Sequence, residues 1–311
     1  MHPAFSVIFL TTLIGVGQGL LLALFSAQAY GMAKILPAQP NAFFATGSFI
    51  ALLFLLGGLF AAVFHLGKPS YFITRAWRGM TQWRTSWLSR EVIVLPAFMG
   101  TVFLYGITHW FNWHWPVIDL ASGHHVDITL LLGAAGTFLA FALFVCTGMI
   151  YACLRFMQEW HTPLTPLNFT LLGSASGFLL ASVFASYASP GLTNFYAGWA
   201  IALTVLALLG RIASLMRNAR IRPISSLSTA IGIKHPHIVQ ISAGSMGGSF
   251  NTRAFFHGKS ASFIRAIKPG FILLAFILPL ILLALGIATP RLLIAAFILQ
   301  YTGLLAERWF F

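Results

Sequence analysis

The sequence is short of charged residues, of acidic residues in particular, and of cysteine. Charged residues make up 7% of its 311 residues, against about 25% of charged residues in a typical soluble domain. Only 5 residues are acidic, against 18 lysines and arginines. The 2 cysteines cannot provide the roughly four thiolates that an iron–sulfur cluster requires. These shortages exclude an ordinary soluble domain, and they exclude an iron–sulfur cluster held by this chain alone.

The sequence contains long apolar runs. Hydrophobic residues make up 59% of the chain, and the mean hydropathy is +0.87. Because a run of about 20 apolar residues spans a bilayer, and because these runs lack the period-two alternation of a membrane barrel, they predict membrane-spanning helices. The fold class is therefore predicted to be all-α, a polytopic membrane protein with eight transmembrane helices, at 5–30, 43–65, 91–111, 128–154, 167–188, 193–216, 269–288 and 291–306.

The eight predicted helices are expected to form two antiparallel four-helix halves. The halves are residues 1–160 and 161–311, and they meet near the stretch "QEWHTPLTPLN", where two prolines indicate a turn. The second half contains a polar connector, 217–268, that is rich in glycine and serine but also holds aromatic residues. Long loops of this kind are either functional or flexible, and we expect this one to dock a partner protein.

The basic residues indicate how the chain is oriented in the membrane. With eight spans, sixteen of the 18 lysines and arginines fall on the side that holds both termini and the 66–90 and 217–268 connectors. Because basic loops stay in the cytoplasm, both termini are predicted to be cytoplasmic, in the inner membrane of a bacterium. The net charge of +13 then reflects topology, and no nucleic-acid partner is expected.

Two ionisable residues are predicted to meet at the cytoplasmic boundary. His65 ends the second span and Glu91 opens the third, and five basic residues lie between them. An imidazole and a carboxylate can exchange protons with the two oxygens of a quinone, and ionisable residues at membrane depth are functional candidates. Each residue also has a purely structural explanation. His65 could bind the last carbonyls of its helix, and Glu91 could lie in the first turn of a helix capped by Ser89.

Haem and metal sites are not predicted. A membrane haem needs two facing ligands, and the histidines nearest to the apolar zone are His65 and His109. These two are placed at opposite ends of their helices, about 30 Å apart across the hydrocarbon core, so they cannot bind one haem.

The motifs "GQG" (17–19), "FHLGKP", "SWLSREV", "GGSFNTRAFFHG" and "LLAERWFF" resemble those of the membrane-anchor subunit of dimethyl sulfoxide reductase-like molybdoenzymes. The resemblance runs over most of the chain. It implies a non-catalytic subunit that binds a quinone, ubiquinone or menaquinone, and that itself holds no haem, iron–sulfur cluster or molybdenum. It also implies two partners, an iron–sulfur electron-transfer subunit docked on the cytoplasmic face and a catalytic subunit with a molybdopterin cofactor.

The resemblance also implies site residues. The histidine and the acid of the family's quinone site correspond to His65 and Glu91, and we add Gln18, Arg75, Arg78 and Arg90 from their locations. His65 and Glu91 are predicted to lie on the cytoplasmic side. In this respect the chain is more similar to the anchors of sulfite-oxidising, quinone-linked dehydrogenases than to the anchors of enzymes that reduce dimethyl sulfoxide. Three alternatives are left open: the anchor of a quinol-oxidising dimethyl sulfoxide reductase, a purely structural anchor, and a secondary transporter built on broken helices.

Overall fold

The computed structural model describes residues 5–64, 77–119, 125–222, 227–235, 237–238, 259–286 and 289–311. Six long helices come first: α1 (Phe5–Met32), α2 (Asn41–Val63), α3 (Trp87–Trp110), α4 (Ile128–Ala152), α5 (Leu164–Ala188) and α6 (Thr193–Ala219). A two-stranded antiparallel hairpin, β1 (Pro116–Asp119) and β2 (His125–Asp127), lies between α3 and α4, and the sequence did not predict it. The chain continues through α7 (Leu227–Ile231), α8 (Ala261–Ile272), a π-helical segment (Leu273–Ile277), α9 (Leu278–Gly286) and α10 (Pro290–Phe310).

The prediction of an all-α polytopic membrane protein is confirmed. In the described part of the chain, seven helices are long and apolar enough to cross a membrane, namely α1 to α6 and the continuous run Ser262–Gly286. The predicted eighth span is present as α10, a helix of 21 residues, but it is not among the seven, so the count of eight is not confirmed. We call the end of the bundle at which α3 and α5 begin, and α2, α4 and α6 end, the basic end.

The seventh span begins earlier than the sequence predicted. Its helix starts at Ala261, where the Ser260 hydroxyl accepts a hydrogen bond from the Phe263 amide at 3.2 Å, and it continues through Pro269. The π-helical segment stands just before Pro279. Because proline lacks an amide hydrogen and clashes with the carbonyl one turn earlier, a local widening of the helix accommodates it.

Helices α1 and α5 pack against each other almost backbone to backbone. Gly15 and Gly19 of α1 face Gly173 and Gly177 of α5, and a Cβ added at Gly177 would lie 2.1 Å from the carbonyl carbon of Gly19. Small residues four apart on both helices permit this close approach. The contact joins the two halves that the sequence divided at residue 160.

Replacing Gly177 by alanine is expected to weaken the α1–α5 contact. The new methyl group would meet backbone atoms, which can only move if the helices separate, and overpacking of this kind costs about 1–3 kcal/mol. Thermal unfolding in detergent measures the effect. Gly198→Ala is the control, because it lies in a helix with no atom within 4 Å of the new Cβ. Equal melting temperatures for the two variants would contradict the packing described.

The end opposite the basic end is held together by a chain of hydrogen bonds. Asp127 caps α4, since its carboxylate accepts from the Leu130 amide at 3.0 Å and from the Thr129 hydroxyl at 2.8 Å. Its other oxygen lies 2.6 Å from Nδ1 of His114. The network extends through Asn41, which contacts both His114 and the buried His109. It therefore ties α2 and α3 to the start of α4.

Asp127→Asn is expected to lower the stability of the folded chain at neutral pH. Burial alone would raise the pKa of Asp127, but the hydrogen bonds from His114, Leu130 and Thr129 outweigh it and hold the pKa below its ordinary value. A carboxylate with a lowered pKa contributes stability above its unfolded pKa, and that contribution is lost as the pH falls through the folded pKa. Thermal melts of the two proteins should differ at pH about 7 and converge in acid, below the ordinary aspartate pKa of about 3.9. A difference that persists unchanged in acid would contradict the role of the ionised carboxylate.

Candidate functional site

A partly open pocket lies between five helices in the half of the bundle nearer the basic end. It contains about 440 Å³ of space not filled by atoms, part of which is open to the solvent. Helices α1, α3 and α4 contribute to it from the first predicted half, and α5 and α10 contribute from the second. Its lining mixes apolar residues with seven polar or charged ones: Leu10, Thr11, Thr12, Ile14, Gly15, Gln18, Glu91, Phe144, Thr147, Phe169, Leu172, Gly173, Ser176, Leu304 and Arg308.

Glu91 lies in this pocket, and its surroundings correct one explanation given above. The cap of α3 is Ser86, whose hydroxyl accepts from the Ser89 amide at 3.3 Å, and the first turn of α3 holds no acid. Glu91 lies one turn further in, so the interpretation of Ser89 as a cap with Glu91 in the first turn was wrong. The Glu91 carboxylate instead accepts a hydrogen bond from the hydroxyl of Thr147 on α4.

Gln18 also lines the pocket. Its side chain is almost fully buried, and Nε2 donates to the carbonyl of Ala140 at 2.9 Å. This bond crosses from α1 to α4 and fixes the amide against the wall that also carries Thr147. Two of the six predicted site residues, Gln18 and Glu91, are therefore brought together by the fold.

The other predicted residues are placed differently. Arg90 donates to the carbonyls of Trp83 and Arg84, at 2.8 Å and 3.0 Å, and its guanidinium lies 4.1 Å from the centre of the Trp87 ring. These contacts stabilise the turn before α3. Arg78 is exposed, and neither arginine lines the pocket. His65 and Arg75 lie outside the described residues, as do 223–226, 236 and 239–258 of the 217–268 connector.

The sequence reasoning missed Arg308. It counted Arg211 and Arg308 among the charges of the cytoplasmic side, but both side chains are buried, with 4% and 7% of their surface exposed. A signal was present in "LLAERWFF", where an acid and a base end an apolar helix, because ionisable residues at membrane depth mark functional candidates.

Arg211 and Arg308 share one carboxylate, that of Glu307. Nε of Arg211 lies 2.9 Å from one oxygen of Glu307, and Nη1 of Arg308 lies 3.5 Å from the other. Both contacts are ion pairs by distance, although the atoms are not aligned as hydrogen bonds. The Arg308 guanidinium also lies over the Phe169 ring, 3.6 Å from its centre. Two cations and one anion are thus buried together beside the pocket.

The lining combines apolar walls with polar and charged groups, which suits a ligand that is partly apolar and carries polar oxygens. Phe144, Phe169 and the leucines provide apolar walls, while Glu91 can exchange a proton with a bound oxygen and Arg308 can donate hydrogen bonds. The described residues contain no group of three or more histidine, cysteine, aspartate or glutamate side chains placed to hold a metal ion.

Comparison with known proteins identifies the family. Residues 1–311 match the family described as the dimethyl sulfoxide reductase anchor subunit, DmsC. The chain is also 53% identical, over 313 aligned positions, to a protein of Allochromatium vinosum that is named as a subunit of sulfite dehydrogenase, with 100% of this chain and 95% of that protein covered. This chain belongs to the family of dimethyl sulfoxide reductase anchor subunits, as its sequence motifs predicted.

Proposed function

We propose that this chain is the membrane anchor of a sulfite-oxidising molybdoenzyme and passes electrons from its partners to quinone. One observation carries the proposal: Glu91, Gln18 and Arg308 converge in an apolar pocket that lies toward the basic end of the bundle. The substrate class is supported by the 53% identity to the sulfite dehydrogenase subunit of Allochromatium vinosum. The chain itself is proposed to be non-catalytic toward sulfite, and the partners are an iron–sulfur subunit and a molybdopterin subunit.

The pocket residues have distinct proposed roles. The apolar walls hold the quinone ring, and reduction of that ring consumes two electrons and two protons. Glu91 is proposed to deliver protons, because its carboxylate is within the pocket and held in place by Thr147. His65 remains proposed as a second hydrogen-bonding residue, since it follows the end of α2 at the same end of the bundle at which α3 begins.

The basic end is the proposed docking surface for the iron–sulfur subunit. Trp77 and Trp83 are exposed there, at 71% and 51% of their surface, beside the exposed Arg78 and Arg84. Aromatic and arginine side chains are enriched in protein interfaces. The connector 217–268 is proposed to contribute to the same surface, and the orientation with this end in the cytoplasm follows from its basic residues.

Purification of the chain together with its associated proteins tests the proposal. We expect the complex to contain molybdenum, iron and extractable quinone, and to reduce decylubiquinone or menadione when sulfite is added. A complex that instead oxidises quinol with dimethyl sulfoxide would favour the reductase alternative. A chain that purifies without partners, metals or quinone would contradict the proposal.

A further inference from the structure

The Arg308 side chain is a buried cation whose pairing with acidic groups is incomplete. Arg308 lines the pocket, and its Nη1 is buried and has no hydrogen-bond partner among the described residues. Glu307, its neighbouring acid, is closer to Arg211, at 2.9 Å against 3.5 Å for Arg308. A buried cation without a full partner is costly, so a fold that retains one is expected to use it.

Among the charged side chains that the structure describes around the pocket, Arg308 is the more weakly paired cation. Glu307 carries one negative charge and faces two guanidinium groups. The other acid in the pocket, Glu91, is bonded to Thr147, and the described part of the chain contains no ion pair between Glu91 and Arg308. The positive charge of Arg308 is therefore available to a ligand that binds between Arg308 and Glu91.

We infer that Arg308 binds a negatively charged ring oxygen and makes the pocket selective for ligands that carry or acquire such a charge. This rests on the proposed quinone function. A quinone is neutral when it binds, and negative charge develops on its oxygens as electrons arrive from the iron–sulfur partner and before protons are added. A cation held in an apolar, water-poor site stabilises developing charge more strongly than it would in water.

The stacking of Arg308 on Phe169 fixes where this charge lies. The guanidinium carbon lies 3.6 Å from the centre of the Phe169 ring, a ring that also lines the pocket. A planar fork of donors is suited to an oxygen at the edge of a flat ring. Lysine would keep the charge but lose the contact with the ring and the planar arrangement of donors.

Two ligands that share one ring system but differ in charge can distinguish binding of a charged oxygen by Arg308 from a purely structural role of Arg308. A hydroxynaphthoquinone whose hydroxyl is ionised at neutral pH carries the charge, and its methoxy derivative does not. In the intact complex, Arg308→Met should weaken binding of the ionised ligand by about 10- to 150-fold, the range for losing a hydrogen bond to a charged group. Binding of the methoxy ligand should change by less than about threefold, and Arg308→Lys should fall between the wild type and Arg308→Met.

Arg211→Met tests the charge argument from the other side. It removes a side chain that does not line the pocket and leaves Glu307 to Arg308 alone. The preference for the ionised ligand should therefore fall in this variant, but by less than in Arg308→Met, which removes the cation itself. Equal weakening of both ligands by Arg308→Met, or an unchanged ratio in Arg308→Lys and Arg308→Met alike, would overturn the inference. If the wild-type complex binds neither ligand and reduces no quinone, the proposed function fails as well.

Discussion

Replacing Glu91 by glutamine is expected to slow sulfite-dependent quinone reduction by about 100-fold or more. Glutamine keeps the shape of the side chain but cannot give or take a proton, and a positioned acid–base group typically contributes about 10²- to 10⁴-fold to a rate. Activity with a soluble dye that accepts electrons before the membrane subunit should be unchanged. The measurement is the ratio of quinone-linked to dye-linked turnover in the purified complex.

Glu159→Gln is the matched control for this prediction. It makes the same substitution in the 153–163 connection between α4 and α5 at the basic end, but Glu159 does not line the pocket. Thr147→Val should give a smaller loss than Glu91→Gln, because it removes only the hydroxyl that holds the carboxylate, and Thr147→Ser should recover the activity. Full quinone-linked activity in Glu91→Gln, within an assembled complex, would place proton delivery elsewhere.

Replacing Glu307 by glutamine is expected to destabilise the bundle by about 3–5 kcal/mol, the typical cost of removing one partner of a buried ion pair. The substitution leaves Arg211 and Arg308 buried with no negative charge between them. It should also separate α6 from α10, which carry these residues. Thermal unfolding in detergent and the yield of assembled complex measure the effect.

A second substitution shows whether charge causes the loss. Adding Arg211→Met to Glu307→Gln removes one of the two unpaired cations, so the double variant should be more stable than Glu307→Gln alone. If the double variant is less stable than Glu307→Gln, and its loss equals the sum of the two single losses, then Arg211, Glu307 and Arg308 contribute by packing rather than by charge.

The helices could be predicted from the sequence because bilayer thickness sets the length of an apolar run. The predicted span 193–216 lies within α6, Thr193–Ala219, for this reason. The start of α8 could not be predicted in the same way, since Pro269 looks like a helix start and is in fact an interior residue. The hairpin of β1 and β2 was missed because strands of four and three residues leave no periodic pattern.

The pocket was only half predictable. Glu91 and Gln18 stand out as polar residues in apolar runs, and their helices were correctly identified. Arg308 was assigned to the surface because a charge near the end of a span resembles a topological signal. Its burial depends on the packing of α10 against α1, α5 and the π-helical segment. A Cβ at Gly303 would fall 2.2 Å from the amide nitrogen of Ala275 in that segment, and such long-range packing cannot be seen in one sequence.

Photolabelling with an azido derivative of decylubiquinone can locate the proposed quinone site. In the purified complex, illumination followed by peptide mapping should place the label in segments 10–18, 169–176 or 304–308, which line the pocket. Excess unlabelled decylubiquinone should suppress it. Label confined to the opposite end of the bundle, around Tyr105 and His109, with the three pocket segments unlabelled, would contradict the account.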